Sequence, residues 1–379
     1  MRPLVLAFLP CVLLGPACNE SDPCELRAAG DCAIDDDECL EHVRHVVTCM
    51  RGVEHPLPKI ERLTADEYLA RLPAPAEPTP EEADRAAKLD RAFALLELLP
   101  ADPGDDDESE PGELALPLLV YDWSRRVVTI VADGSDPEFE LFSLVYTLVV
   151  ADRDAEVGLD ALFSDDAVTF DRARALRTLV TGEAQFYADL ATWRNPDYRA
   201  ASDDFAYGLG LDDVMRAFAD PEVPWYQAMG AFQYIFGAWT TQGRYIVGGH
   251  DDVDAAYAFA GDSTAYALTG GLEIDAAFAA IDTALPEPPA GFGYVSQDSY
   301  GPVMWHMSEI RRAEEASDPN TFSVLAEHWV GDRMIVAGET DGERVAVIWQ
   351  LAAADGAVDE TLIVASDAET ADLFAELFP

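Results

Sequence analysis

One carboxylate constrains this chain more than any other residue. Between Phe170 and Leu190 the sequence reads FDRARALRTLVTGEAQFYADL. Leu176, Leu179, Val180, Glu183, Tyr187 and Leu190 recur at three- and four-residue spacing, so they share one face of an amphipathic helix. Five of the six are apolar or aromatic, and the sixth is Glu183. A carboxylate on a buried stripe costs free energy unless it is paired, protonated or metal-bound. Glu183 therefore requires a partner, and the preceding segment, Phe142 to Val157, is where one is expected. That segment, FSLVYTLVVADRDAEV, is rich in β-branched residues. Periodicity alone makes its first part a buried strand.

Composition narrows the possible functions. The 379 residues suffice for one large or two ordinary domains, and 49% hydrophobic content is that of a globular chain. Acidic residues number 72 against 24 basic ones, a formal charge of −48, and the lysines are Lys59 and Lys88. Nucleic acid is excluded as an expected partner, because phosphate contacts need a basic surface. Direct docking on anionic headgroups is disfavoured for the same reason. Strong acidity keeps a chain soluble and self-repelling, which suits a salty medium as well as it reflects a GC-rich genome.

Residues 1–17 read as a secretory signal: Arg2, the apolar run LVLAFLPCVLL, then Gly15-Pro16-Ala17 before Cys18. The small residues before Cys18 resemble a bacterial lipobox and imply lipidation at Cys18. The expected place is the bacterial cell envelope, with the membrane reached through that lipid. Residues 18–58 form a Cys-rich anchor or hairpin segment. Cys24, Cys32, Cys39 and Cys49 form an even, clustered set in an exported chain, which predicts two disulfides with three pairings open. A zinc site recruiting His42 and His45 is the lesser expectation, since no CxxC pair is present.

Residues 59–379 form the remaining domain, with an acidic solvated loop at 103–113. Thr64 with Glu67 predicts a capped helix start, and Glu81 to Leu99 an amphipathic helix with Ala86, Leu89, Phe93 and Leu96 on one face. Leu114 to Asp133 reads as a strand pair. Asn195 to Asp220 reads as a linking region, and Pro286 to Gly293 as a break. Gly301 to Glu315 reads as a helix with His306 on its surface or half-buried. Strands follow at Met334 to Ala337, Arg344 to Gln350 and Glu360 to Ala365. A final helix, Asp367 to Phe378, points Ala371, Phe374, Ala375 and Phe378 inward.

Laid side by side, LVYTLVVADRDA is similar to LVHELTHALQDQ, and TLVTGEA to ALVEGEA. These are segments of a bacterial lipoprotein group of zincin-type metallopeptidases of the gluzincin kind. Further matches are Tyr121-Asp122, Tyr234 with Gly237, Gly248-Gly249, Val253 to Tyr257, Ser263-Thr264, and Trp329 to Arg333. They run in the group's order from about residue 60 to the C-terminus. The resemblance implies an α+β fold. Its zincin-like core would be a helix pair beside a small mixed sheet, preceded by a disulfide-stapled helical segment. It makes Phe142–Val150 a helix. In such enzymes two His one turn apart bind zinc, the adjoining Glu is the base, and a Glu of the second helix is the third ligand. Here Tyr146-Thr147-Leu148-Val149-Val150 replaces HExxH. Tyr146 and Val150 stand at the His positions, Thr147 at the base, and Glu183 at the third ligand.

Valine cannot ligate a metal, and threonine cannot act as a carboxylate base. The resemblance thus implies the fold and argues against catalysis. The expectation is a pseudo-metallopeptidase with no cofactor and an unknown protein or peptide partner, in a binding or structural role. As chemistry Phe142–Val150 reads as an apolar core segment, and a remnant in which the Tyr146 hydroxyl hydrogen-bonds Glu183 fits within that reading. One alternative is a zinc- or other metal-dependent hydrolase rebuilt around Glu183, for example with Asp152 and Asp154. Another is an acidic envelope protein of unrelated fold, in which Phe142–Val150 is a strand. His250 is expected in a solvated loop, and Asp332 and Arg333 as an ion pair at a turn.

Overall fold

A computed structural model describes residues 24–26, 32–72, 76–100, 118–132, 137–164, 168–194, 207–257, 262–270, 278, 280–281, 283–313, 328–353 and 356–378. The signal segment, Cys18 and the acidic loop lie outside these residues.

The chain is α+β. Helix α1 (Asp37–Arg51) starts at Asp36, whose side chain accepts from the Glu38 amide, and stops at Gly52 in the left-handed conformation. Two disulfides hold it, Cys24–Cys49 and Cys32–Cys39, which selects one of the three pairings. Strand β1 (Lys59–Thr64) follows. Helices α2 (Ala65–Arg71) and α3 (Pro80–Leu95) each begin with a reciprocal capping box, Thr64 with Glu67 and Thr79 with Glu82. Strands β2 (Leu119–Asp122) and β3 (Val127–Ala132) are antiparallel, and β1 lies parallel to β3 on its other side. The result is a small mixed sheet of order β1-β3-β2.

Next come α4 (Pro137–Val157), the short α5 (Leu159–Phe163) and α6 (Phe170–Arg194). Phe142–Val150 is therefore helical, against the strand that its periodicity suggests. The physical reason is burial on every side. Leu141, Leu144, Val145, Leu148, Val149 and Val150 all sit in the core, between α1, the mixed sheet and α6. A helix buried all round loses the 3.6-residue signature, leaving an apolar run that looks like a strand.

Helix α7 (Tyr207–Ala219) lies in the stretch expected to be a linker. Val214 and Phe218, one turn apart, are buried and fix it to the core. Then follow α8 (Trp225–Gly248), α9 (His250–Ala256) and α10 (Ala265–Leu268). Strand β4 (Phe292–Asp298) precedes α11 (Gly301–Arg312), and β5 (Asp332–Glu339), β6 (Val345–Ala352), β7 (Val358–Ala365) and α12 (Ala368–Ala375) complete the chain. The second sheet is antiparallel, of order β4-β5-β6-β7. Among the described residues, no helix is long and apolar enough to cross a membrane.

Helix α6 is the central strut. On one side it packs against α4, with α1 and the mixed sheet beyond. On the other it packs against α8, behind which lie α3, α7, α11 and the second sheet. Gly182 and Gly237 let α6 and α8 approach backbone to backbone, since a Cβ on either would overlap the other helix.

Several local expectations change. His306 is buried on α11 rather than near the surface, because Val303, Met304 and Met307 around it are all core residues. Asp332 and Arg333 do not pair, since adjacent strand residues point to opposite faces. Asp332 accepts from Ser299 Oγ, the Tyr300 and Gly301 amides and Trp349 Nε1. Arg333 donates to Gln350, Thr283 and the Ile281 carbonyl. Ala375 faces solvent while Phe374 and Phe378 are buried, so α12 presents a narrow apolar face.

Candidate functional site: an arginine-filled junction of four helices

Glu183 is 1% exposed, at the meeting of α1, α4, α6 and α9. Its partner comes from the segment before it. Arg153 of α4 grips the carboxylate bidentately, Nε to Oε2 and Nη2 to Oε1, each at 2.8 Å. Arg51 of α1 adds Nη2 at 3.3 Å from Oε1, and the Tyr257 hydroxyl donates to Oε2 at 2.8 Å. Burial alone would raise the carboxyl pKa. The Arg153 and Arg51 charges, with hydrogen bonds from Arg153 and Tyr257, outweigh it and hold Glu183 at about 2. Tyr257 moves the other way: burial, then the Glu183 charge, push its hydroxyl far above the usual tyrosine range.

The cluster extends in three directions. Arg44 meets Asp152 fork to fork, both contacts at 2.6 Å. Arg51 Nη1 lies 3.0 Å from Asp152 Oδ2, within ion-pair reach but without hydrogen-bond alignment. Glu156 binds both Arg51 and Arg153 at 2.9 Å and His55 Nε2 at 2.9 Å. Arg153 Nη2 also reaches Asp254 at 2.7 Å, and its guanidinium lies 4.0 Å from the centroid of the Tyr257 ring. Three guanidiniums, of Arg44, Arg51 and Arg153, thus face the carboxylates of Asp152, Glu156 and Glu183, with Asp254 at the rim. Such an array is costly to desolvate and costly to break, because removing one member strands a buried charge.

His250, expected in a solvated loop, begins α9 and is 8% exposed. Its Nδ1 is 2.7 Å from the Tyr187 hydroxyl, and Nε2 is 3.4 Å from Asp254. Burial and the nearby Arg51 charge lower its pKa, so the imidazole is held neutral beside the cluster.

The sequence-predicted positions are only partly brought together. Tyr146, Val150 and Arg153 lie along one stripe of α4 by their spacing. Tyr146 does not reach Glu183. Its hydroxyl hydrogen-bonds the side chains of Thr181 and Tyr234, and its ring lies 6.4 Å from that of Tyr234. Arg153, which sequence reasoning did not assign to Glu183, takes the place beside it that Tyr146 does not fill. Thr147 is buried and returns its hydroxyl to the Ser143 carbonyl at 2.7 Å. Val150 is a core residue.

Asp152, Asp154 and Glu183 do not converge. Asp152 faces Arg44, while Asp154 accepts from the Tyr121 hydroxyl at 2.7 Å and the Leu159 amide at 2.8 Å. Among the described residues, no group of three or more His, Cys, Asp or Glu side chains is arranged to hold a metal.

Sequence reasoning missed Arg44 and Arg51. Their seven-residue spacing puts both on the apolar face of α1 that carries Val43, Val47 and Met50. An arginine on a buried stripe, in so acidic a chain, was the available signal. The chain matches no protein-family model, no curated protein and no solved structure.

Proposed function

We propose that this chain is an exported, lipid-anchored pseudo-metallopeptidase of the zincin-like kind, with a binding or structural role at the bacterial cell envelope. One observation carries the reading: the carboxylate at the third-ligand position is saturated by arginine. A divalent cation at Glu183 would stand against two fixed guanidinium charges, those of Arg153 and Arg51. Tyr146 and Val150 offer no nitrogen ligand, and Thr147 offers no base. The residues present do not fit a zinc ion. They fit a largely buried ionic lock that does by itself what a metal would otherwise do, compensating a buried carboxylate and joining two helices. The helix pair α4–α6 beside a small mixed sheet supports the zincin-like reading. The lipid anchor rests on Arg2 to Cys18. The partner fitting such a role is a protein or peptide.

The test is the metal content of the purified full chain by elemental mass spectrometry after mild dialysis. The expected result is no stoichiometric zinc. One zinc per chain, lost in Glu183→Ala but retained when Cys24, Cys32, Cys39 and Cys49 are replaced, would overturn the proposal. That result would favour a metal-dependent hydrolase rebuilt around Glu183.

A further inference from the structure

The first turns of α6 carry Arg174 and Arg177, one turn apart. Among the described residues, neither has a carboxylate within ion-pair distance. In a chain with 72 acidic residues against 24 basic ones, that is a departure from what proximity alone would give. Burial and the positive charge of Arg177 both lower the pKa of Arg174, and no acid among the described residues offsets them.

Instead of acids, the two guanidiniums rest on rings. Arg174 lies 4.8 Å from the centroid of Phe170 and 5.3 Å from that of Trp225. Arg177 lies 4.9 Å from Phe163 and 6.0 Å from Trp123. The rings are paired beneath them, Phe170 with Trp225 at 5.5 Å and Trp123 with Phe163 at 5.2 Å. Four elements thus contribute: the β2–β3 turn, α5, α6 and the start of α8. A guanidinium stacked on a ring face keeps its N–H edge free to donate, in a fork that matches a carboxylate. The rings beside it offer apolar cover.

We infer that the Arg174–Arg177 face, with Trp123, Phe163, Phe170 and Trp225, binds an acidic peptide segment. A carboxylate would engage the guanidiniums while a neighbouring apolar side chain covers the rings. Charge complementarity selects this occupant. A long polyanion would run off two arginines onto a surface of formal charge −48, whereas one or two carboxylates would not. At physiological salt the screening length is about 8 Å, so the rest of the surface acts weakly on so local a contact. The inference does not depend on how Glu183 is read.

Titration calorimetry on the full chain tests it, with the end-capped peptide Gly-Phe-Asp-Glu-Phe-Gly as probe at about 0.15 M salt. The expected result is saturable binding. It should weaken about tenfold or more in Arg177→Gln, the loss of a charge-assisted contact. No heat should be measurable in the Arg174→Gln/Arg177→Gln pair. Arg177 is exposed, so its variant should melt like the parent and decides the matter even if the pair is unstable. Four results would each overturn the inference: no binding by the parent, unchanged binding by Arg177→Gln, equal binding of the Gly-Phe-Asn-Gln-Phe-Gly counterpart, or inorganic phosphate binding as tightly as the peptide.

Discussion

Helix α6 buries three carboxylates, Asp171, Glu183 and Asp189, and treats the first two in opposite ways. Glu183 faces two guanidiniums and is held ionised at about pKa 2. Asp171, in the first turn, faces hydroxyls and amides instead. It accepts from the Thr264 amide at 3.1 Å and the Thr264 hydroxyl at 2.6 Å, and it senses the Asp332 charge. Burial dominates there and lifts its pKa to about 7, against the hydrogen bonds from Ser263 and Thr264. Both side chains are buried, Asp171 in the first turn and Glu183 near the middle of the helix. What differs is whether a full positive charge is supplied. Neutral donors do not match burial, whereas a bidentate arginine does.

The largest expected effect comes from breaking the arginine side of the contrast. Arg153→Met leaves Glu183 with Arg51 and Tyr257 alone, and should cost about 3–5 kcal/mol in urea denaturation. Replacing both partners, Arg153→Met with Glu183→Leu, should recover most of that loss, since no stranded charge remains. Tyr257→Phe removes one hydrogen bond to a charged group and should cost about 1.5–3 kcal/mol, read by the same denaturation. Gly301→Ala attacks the Asp171 end. Gly301 has φ +79°, and a Cβ there would overlap the Asp171 carboxylate. A loss of about 1–3 kcal/mol is expected in thermal melts.

The gentlest probe is pH, and it separates the two acids by sign. The folded pKa of Glu183 lies below the unfolded value of about 4.3. Its contribution is present above that value and is lost as pH falls through about 2. The folded pKa of Asp171 lies above its unfolded value of about 3.9. Its contribution is complete below that value and is lost as pH rises through about 7. The Asp171 slope is at most about 1.4 kcal/mol per pH unit. Asp171→Asn should flatten it between about pH 4 and 7, with stability measured at half-unit steps. An unchanged profile would remove Asp171 from the comparison.

How far the sequence reached follows from where each partner sits. The apolar stripe of α6 and the anomalous Glu183 are local in sequence, and so are the capping boxes at Thr64 and Thr79. Arg153 lies in the preceding helix, close enough to be sought there. Arg51 lies far upstream, in a segment read mainly as a disulfide hairpin, and nothing local ties it to Glu183. Tyr146 was assigned to Glu183 by motif position alone, whereas packing of α8 against α6 gives it Tyr234 and Thr181. Two strands escaped for a related reason. KIERLT in β1 is polar because Glu61 faces outward among Lys59, Arg71 and Arg125, so it shows little strand signal. β4 begins in the Gly-rich stretch that reads as a break.

A double-mutant cycle on Arg153 and Glu183 tests the central claim most directly. Urea denaturation of Arg153→Met, Glu183→Gln and the pair should show a coupling above about 1.5 kcal/mol, with the pair more stable than the sum of single losses implies. Losses that add within about 0.5 kcal/mol would mean that the two side chains do not compensate one another. Glu183 would then need a different partner.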